Sequence, residues 1–373
     1  MPLNPGHEFS AKHRFVIFTP WPPIHGGGVN QVVNGLAEAA REFYDPVTVV
    51  TGWNRCEQWK GPWLRLPYFR ISRPFGYLAR LIPNMLRLRS VLRGSVAANT
   101  HFLSLECIPL LLLRRMRLGP PVIMSIHGSD VTGILATTGI DRTLCRWAFE
   151  SADLVVGCSN DLTKRLLQMC PRAKTRAIFN ATSGPPPVAP ERPLNRRYLL
   201  CVASFVEVKA HDVLISAFAN VAAEFPDLDL VIIGSDGPTR SKIERQIQEA
   251  KLESQVHLLL DRPNAEVWWW MRHAEVFVLS SRAEAFGIVL LEAARSRVPV
   301  VATRVGGVPE FLTDGEDGLL CDPNRPDQLA RAILDTLANK EQSEYRLENF
   351  YRKANGFTWS RTFAEYRSAV GLV

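Results

Sequence analysis

Val276-Phe277-Val278-Leu279-Ser280-Ser281-Arg282-Ala283-Glu284-Ala285-Phe286-Gly287-Ile288-Val289-Leu290-Leu291-Glu292-Ala293 is the stretch on which the rest of the chain turns. Four apolar residues read as a buried strand, polar residues end it, and a Phe-Gly turn leads into a second apolar run. A strand that turns at a glycine into a helix is how α/β folds build ligand sites. The start of such a helix offers unpaired N–H groups and the positive end of a dipole, which suits a phosphate or a polar sugar. Read as helix, the eight positions from Glu284 to Glu292 span roughly 12 Å. Two carboxylates so spaced suit separate polyol groups of one elongated ligand. Two solvated glutamates on a surface helix are the plain alternative, and the surrounding residues decide between them.

Outward from this stretch the same alternation repeats. Apolar runs at 15–18, 48–50, 122–126 and 154–156 are separated by helical patterns, and a second series follows at 198–202, 228–233, 256–260, 276–279 and 300–302, the last strand expected. Such alternation predicts parallel sheets. After the first run comes Gly26-Gly27-Gly28, then a helix from Val29 to Glu42 with apolar residues at 29, 32, 33, 36, 37 and 40 forming one stripe. A proline-rich break at 180–193 cannot continue regular structure and reads as a linker. The expected organisation is a Rossmann-like domain over 1–183, a linker over 184–195, a second Rossmann-like domain over 196–356, and a C-terminal segment over 357–373 whose helix, about Trp359 to Ala369, has no strand after it.

The 373 residues suit two domains, with 46% hydrophobic and 22% charged residues as in ordinary globular chains. No apolar run approaches the roughly 18 residues of a membrane helix, and the polar Met1–His13 lacks the core of a signal peptide. Seven cysteines without a C-x-x-C pair argue for reduced thiols, a cytoplasmic setting and no zinc site. Charge is uneven: residues 1–183 carry 22 Lys/Arg against 11 Asp/Glu, and residues 184–373 carry 22 against 26. Positions 58–105 contain eight basic residues and no acidic one, among them Arg65, Arg70, Arg73, Arg80 and Arg87, interleaved with aromatic and aliphatic residues. That mixture fits an anionic membrane surface better than nucleic acid, with a solvated face as the plain alternative.

Glu284 to Glu292 is followed by Pro299-Val300-Val301-Ala302-Thr303, Val305-Gly306-Gly307-Val308-Pro309-Glu310 and Asp314-Gly315. This succession resembles the retaining glycosyltransferases of family four, over roughly 90 residues with little interruption. The resemblance implies the GT-B fold, two Rossmann-like domains with parallel sheets facing across a cleft, the terminal helix returning to the first domain. It implies a metal-independent hexosyltransferase without a cofactor, using a nucleoside diphosphate sugar as donor. The acceptor would be a lipid-linked or other saccharide hydroxyl in cell-surface polysaccharide or glycolipid synthesis. The enzyme would then sit peripherally at the inner face of a membrane.

Residue by residue, the resemblance assigns catalytic roles to His127, Lys209 and Glu284. His127, in Ile126-His127-Gly128-Ser129-Asp130, would orient the transferred sugar, with Asp130 behind it. Lys209 would neutralise the diphosphate as charge builds on the leaving group. Glu284 and the amides of Phe286, Gly287 and Ile288 would hold the sugar and its phosphate, and Glu292 the ribose. Gly27 and Gly28 would approach the diphosphate, Gly234 the nucleotide, and Arg262 the base. The family writes G-R-L-x-x-x-K-G where this chain has Ala203-Ser204-Phe205-Val206-Glu207-Val208-Lys209-Ala210. Ser204 cannot reproduce an arginine fork, so Arg282 is the candidate substitute, and a nucleotide-sugar-binding protein without turnover is the rival reading. The glycine spacing does not meet the dinucleotide G-x-G-x-x-G pattern, which counts against a dehydrogenase.

Overall fold

A computed structural model describes residues 13–20, 27–50, 63–65, 74–103, 107–185 and 193–372, with backbone alone for 50, 63–65, 74–80, 135 and 136. The chain divides into two compact units, Met1–Ala181 with Thr358–Val373, and Thr182–Phe357.

In the first unit the strands are β1 (Arg14–Thr19), β2 (Asp45–Val50), β3 (Trp63–Arg65), β4 (Ser95–His101), β5 (Val122–Ile126), β6 (Leu154–Gly157) and β7 (Thr175–Ala177). They pair in the order β3-β2-β1-β4-β5-β6-β7, every neighbour parallel. The order reverses between β1 and β4, the place where open α/β sheets hold ligands beyond the strand C-termini. β5 is buried along its whole length and β1 along all but its first residue, as helices on both faces require. The helix Gly28–Ala40 buries Val32, Val33, Leu36 and Ala40 and lets Glu38 face out.

The terminal helix Trp359–Ala369 is part of this unit. Phe363 meets Phe15 edge-on at 5.1 Å between centroids, and the Tyr366 hydroxyl hydrogen-bonds Ser125 at 2.9 Å. A Cβ at Gly35 would overlap the Trp359 indole, so the close approach of the two helices requires glycine there.

In the second unit the strands are β8 (Arg197–Val202), β9 (Leu228–Gly234), β10 (Val256–Leu260), β11 (Val276–Leu279), β12 (Val300–Thr303) and β13 (Leu319–Cys321). They form a second all-parallel sheet ordered β10-β9-β8-β11-β12-β13, reversing between β8 and β11. Its core gathers Leu199, Phe205, Leu214, Phe218, Ile232 and Val278, among others.

Three differences from the sequence reading have physical causes. Val300–Thr303 is not the last strand, because the three-residue Leu319–Cys321 pairs beside it. β4 has small and polar residues, Ala97-Ala98-Asn99-Thr100-His101, yet all five are buried at the sheet centre. The helix after β11 begins only at Ile288, so Glu284 stands in the preceding loop and Glu292 alone is helical. Among the described residues, no helix is long and apolar enough to cross a membrane, and no disulfide joins the six described cysteines to one another.

Candidate functional site

In the second unit the loops after β8 and β11, the strands flanking the reversal, are stitched together by their backbones. The Arg282 N–H donates to the Val208 carbonyl at 2.7 Å, and the Ser280 hydroxyl donates to the Lys209 carbonyl at 3.0 Å. From the far side, the loop after β12 holds the same segment. Thr303 donates its hydroxyl to the Ser281 carbonyl at 2.6 Å, and the Gly307 N–H donates to the Glu284 carbonyl at 3.1 Å. Gly306 takes φ +52°, and a Cβ there would overlap the Glu284 carbonyl oxygen. The Val305-Gly306-Gly307 succession thus serves Glu284 directly: only a glycine lets that loop close on it.

This stitching brings Lys209 Nζ to 2.6 Å from Glu284 Oε2. The ammonium retains 24% side-chain exposure and the carboxylate 12%, so the pair is partly open. Next to it, Gly287 at φ +94° begins the helix Ile288–Arg295, which has no side-chain cap on its first N–H groups. Phe286 is 2% exposed and packs on Phe311 at 4.6 Å. Its ring anchors the turn in the core. Glu292 lies on the same helix and is 2% exposed.

The position after Lys209, Ala210, has φ +52°. The family's glycine there meets a backbone demand, and alanine adopts the left-handed conformation at about 1–2 kcal/mol. Ser204 is half-buried and its hydroxyl accepts from Ser235 at 2.7 Å. Gly234 ends β9 so close to the preceding loop that a Cβ would overlap the Ala203 carbonyl.

Arg282 is committed elsewhere. Its Nη2 donates to Asp212 at 2.7 Å, Nη1 to the Glu207 carbonyl at 2.8 Å and Nε to Asn324 at 2.7 Å. The hydrogen bond to Asp212 raises its pKa. With all three nitrogens engaged it is a strut of the Lys209 loop, and it offers no fork to replace the missing arginine. Arg262 is exposed, 3.7 Å from Glu266. Among the three adjacent tryptophans Trp268 is buried in the core, while Trp269 and Trp270 are half-buried and Trp270 packs against Tyr198.

In the first unit the chemistry is neutral. His127 follows β5 and His101 ends β4. Their ring planes lie within 11° of each other with centroids 5.2 Å apart, and His101 Nδ1 lies 3.0 Å from His127 Nε2. Burial lowers the His127 pKa to about 4, and burial followed by His127 takes His101 well below its usual value. Asp130 accepts the N–H groups of His127 at 2.7 Å and Leu103 at 3.0 Å, binding the two loops together. Burial raises its carboxyl to about 6. Gly27, at φ +130°, and Gly28 open the helix after β1, and both are exposed.

Of the basic set, Arg70 and Arg73 lie outside the described residues, and Arg65 and Arg80 fall where the backbone alone is described. Arg87 is exposed on the helix Pro74–Leu92, beside Ile82 at 68% and Leu86 at 63% exposure.

Two features were missed from sequence. His101 sits in a strand without an apolar run; its signal is a histidine followed by an aromatic residue shortly before a strand that itself ends in His127. A literal D-x-D, Asp227-Leu228-Asp229, is also present. Asp229 is 1% exposed, bound by Arg196 and by His257 at 2.8 Å, and Asp227 pairs with Arg197. These carboxylates anchor the entry of β9, at the opposite end of the sheet from Lys209. Among the described residues, no group of three or more His, Cys, Asp or Glu could hold a metal ion.

Comparison with known proteins agrees with this geometry. Residues 187–353 match the family model for glycosyl transferases group 1, and residues 26–183 match that for glycosyltransferase family 4. An uncharacterized glycosyltransferase of Methanocaldococcus jannaschii is 31% identical over 67% of this chain and 68% of its own length. A D-inositol 3-phosphate glycosyltransferase of Corynebacterium glutamicum is 34% identical over 47% of this chain, an alignment spanning 43% of that relative. The fold superposes on sucrose-phosphate synthase from Thermosynechococcus elongatus, with TM-score 0.81, 21% identity and coverage of 97% of this chain and all of that one. It also superposes on Anabaena HepE in complex with UDP and glucose, with TM-score 0.79, 18% identity and the same coverage.

Proposed function

The chain belongs to the family-four glycosyltransferases of GT-B architecture, and from that premise we propose that it is a retaining, metal-independent enzyme. It moves a hexose from a nucleoside diphosphate sugar to a hydroxyl. The observation that carries this reading is the Lys209–Glu284 pair at 2.6 Å, held at the reversal of the second sheet beside an uncapped helix start. An ammonium and free N–H groups together suit a diphosphate whose charge grows as the bond to the sugar breaks. Glu284 would take sugar hydroxyls and Glu292 the ribose, and the family resemblance gives His127 the role of a sugar ligand.

In the reaction the anomeric carbon–oxygen bond to the diphosphate breaks, through an oxocarbenium-like state. The acceptor oxygen bonds the anomeric carbon on the face just vacated, and the departing phosphate takes the acceptor's proton. Ser204 leaves Lys209 as the principal cation for the diphosphate. Intact stitching around Lys209 favours turnover over a protein that merely binds the donor.

The acceptor is proposed to be lipid-linked, in cell-surface polysaccharide or glycolipid synthesis at the inner face of a membrane. Support comes from the helix Pro74–Leu92, where Ile82 and Leu86 lie side by side one turn apart, next to Arg87 and Arg89, all four exposed. Apolar side chains amid cations suit an anionic lipid surface.

The test is sugar release from a panel of UDP-, GDP- and ADP-sugars by wild type, Lys209→Ala and Glu284→Ala. Donor consumption that collapses in both variants is expected; undiminished turnover in both would sink the assignment. The anomeric configuration of the product, read by NMR, checks retention.

A further inference from the structure

We propose that His101 is a positioning residue for His127: its Nδ1–H donates to His127 Nε2, which leaves His127 with its proton on Nδ1 as the nitrogen offered to a ligand. The proposal rests on reading His127 as a ligand of the donor sugar.

Two neutral imidazoles joined through one nitrogen each must divide donor and acceptor roles between them. Both rings here are held neutral by burial, so the 3.0 Å contact between His101 Nδ1 and His127 Nε2 contains a single proton. His101 is 1% exposed, and its other nitrogen, Nε2, is buried without a hydrogen-bond partner. If His127 were the donor, the His101 proton would sit on that Nε2 as an orphaned buried N–H, which native structures rarely tolerate. With the proton on His101 Nδ1 the orphan is a bare lone pair instead, the milder defect. The choice at His101 then fixes the tautomer one ring away.

The surroundings hold the pair in this register. The Asp130 carboxylate ties the backbone of His127 to that of Leu103, two residues past His101, so β4 and β5 end at a set spacing. Phe102 packs on the His127 ring at 5.2 Å, and the two imidazole planes lie within 11° of each other, as a hydrogen bond between ring nitrogens favours. Among the described residues His127 Nδ1 has no hydrogen-bond partner. A group presented there as a donor would bind a hydroxyl or carbonyl oxygen of the sugar; presented as an acceptor, it would require a hydroxyl proton.

Long-range proton–nitrogen NMR spectra of the full chain labelled at histidine, assigned with His101→Asn and His127→Gln, read the proton positions directly. The expected pattern is a protonated Nδ1 and a bare Nε2 on His127; a protonated Nε2 would overturn the proposal. Kinetics supply the second readout. His101→Leu removes the donor, and His101→Asp accepts only, forcing the His127 proton to Nε2. Each should lower kcat/KM by about fivefold to a hundredfold, the worth of one buried polar group left wrongly paired. His101→Asn places an amide N–H where Nδ1–H stood and should recover most of the turnover lost in His101→Leu.

Asp at 101 turning over as wild type would contradict the assigned direction. An unfolded His101→Leu is recognised by its melting curve, and the Asp and Asn pair then carries the comparison. If His127→Ala keeps wild-type turnover, the reading of His127 as a sugar ligand falls and the role in catalysis with it. The ring spectra would still decide where the proton lies.

Discussion

The two units use one topology and equip it with opposite chemistries. In each, a parallel sheet reverses order between its first strand and a later one, β1 and β4 or β8 and β11. In the second unit the loops at that reversal meet through backbone hydrogen bonds and present an ion pair, Lys209 and Glu284. In the first, the loops beside the reversal meet through Asp130 and present a neutral pair, His101 and His127. The charged site stays partly solvated while its loops are fixed by backbone, hydroxyl and guanidinium hydrogen bonds. In the first unit burial lowers both imidazole pKa values, so the pair stays uncharged well below neutral pH.

The largest effect should come from breaking the charged half. Lys209→Ala removes a donor that matters most as negative charge develops, and kcat should fall about 10²–10³-fold. Steady-state rates with the best donor check it; a loss confined to KM would move Lys209 from transition-state stabilisation to ground-state binding.

Next comes the frame. Gly306→Ala places a methyl against the Glu284 carbonyl at φ +52°. The loop must shift, and since a displacement of about 1 Å costs about 10²-fold, activity should drop by that order while Lys209 and Glu284 remain. Wild-type activity in this variant would show that Glu284 does not depend on the glycine loop.

A smaller effect tests a buried imidazole of the second unit, His211, whose ring lies against Phe205. Burial, with Lys209 adding, holds His211 at about 4. Between pH 6.5 and 4 the unfolded chain takes up a proton there that the folded chain does not, so stability falls across that window by up to about 3 kcal/mol. His127 acts in the same direction and Asp130, raised to about 6, opposes it. His211→Phe keeps a ring beside Phe205 and should show a shallower fall in urea-unfolding stability from pH 7 to pH 4. Parallel curves would contradict the assignment.

The smallest effect concerns the basic face. Replacing Arg87, Arg89 and Arg93 singly by serine should weaken sedimentation with anionic vesicles by about 1 kcal/mol each, leaving turnover on a soluble acceptor unchanged. Binding indifferent to these residues, to anionic lipid and to salt would remove the electrostatic docking.

The same contrast governs what was legible in the sequence. The second unit announces itself because its working residues are charged or glycine, types that stand out against apolar strands, and its tight spots require glycine at fixed spacing. Even there the interval from Glu284 to Glu292 was measured as helix throughout, although the Phe286-Gly287 turn lies within it and the helix begins only at Ile288. Arg282 illustrates another limit: its place in sequence suits a diphosphate, but Asp212, seventy positions earlier, occupies its guanidinium. The first unit conceals its site. β4 is central and buried, yet Asn99 and Thr100 make it look like a loop. The Asn99–Ser125–Tyr366 network that takes up the Asn99 carbonyl oxygen and the Ser125 hydroxyl joins three distant segments. His101 was hidden with the strand that carries it. The Asp227-Leu228-Asp229 triplet shows the converse, a motif whose carboxylates are taken up by neighbours unseen in the one-dimensional pattern.

The most direct test of the central claim is nucleotide binding measured by thermal stabilisation, with UDP, GDP, ADP and their sugar conjugates, on wild type and Lys209→Ala. A nucleotide present at 100 times its dissociation constant adds about 2.7 kcal/mol. The account predicts a clear shift for one base with wild type, larger for its sugar conjugate, and a much reduced shift for Lys209→Ala. Equal shifts in the two proteins, or none with any nucleotide, would contradict a diphosphate sugar held at Lys209 and Glu284.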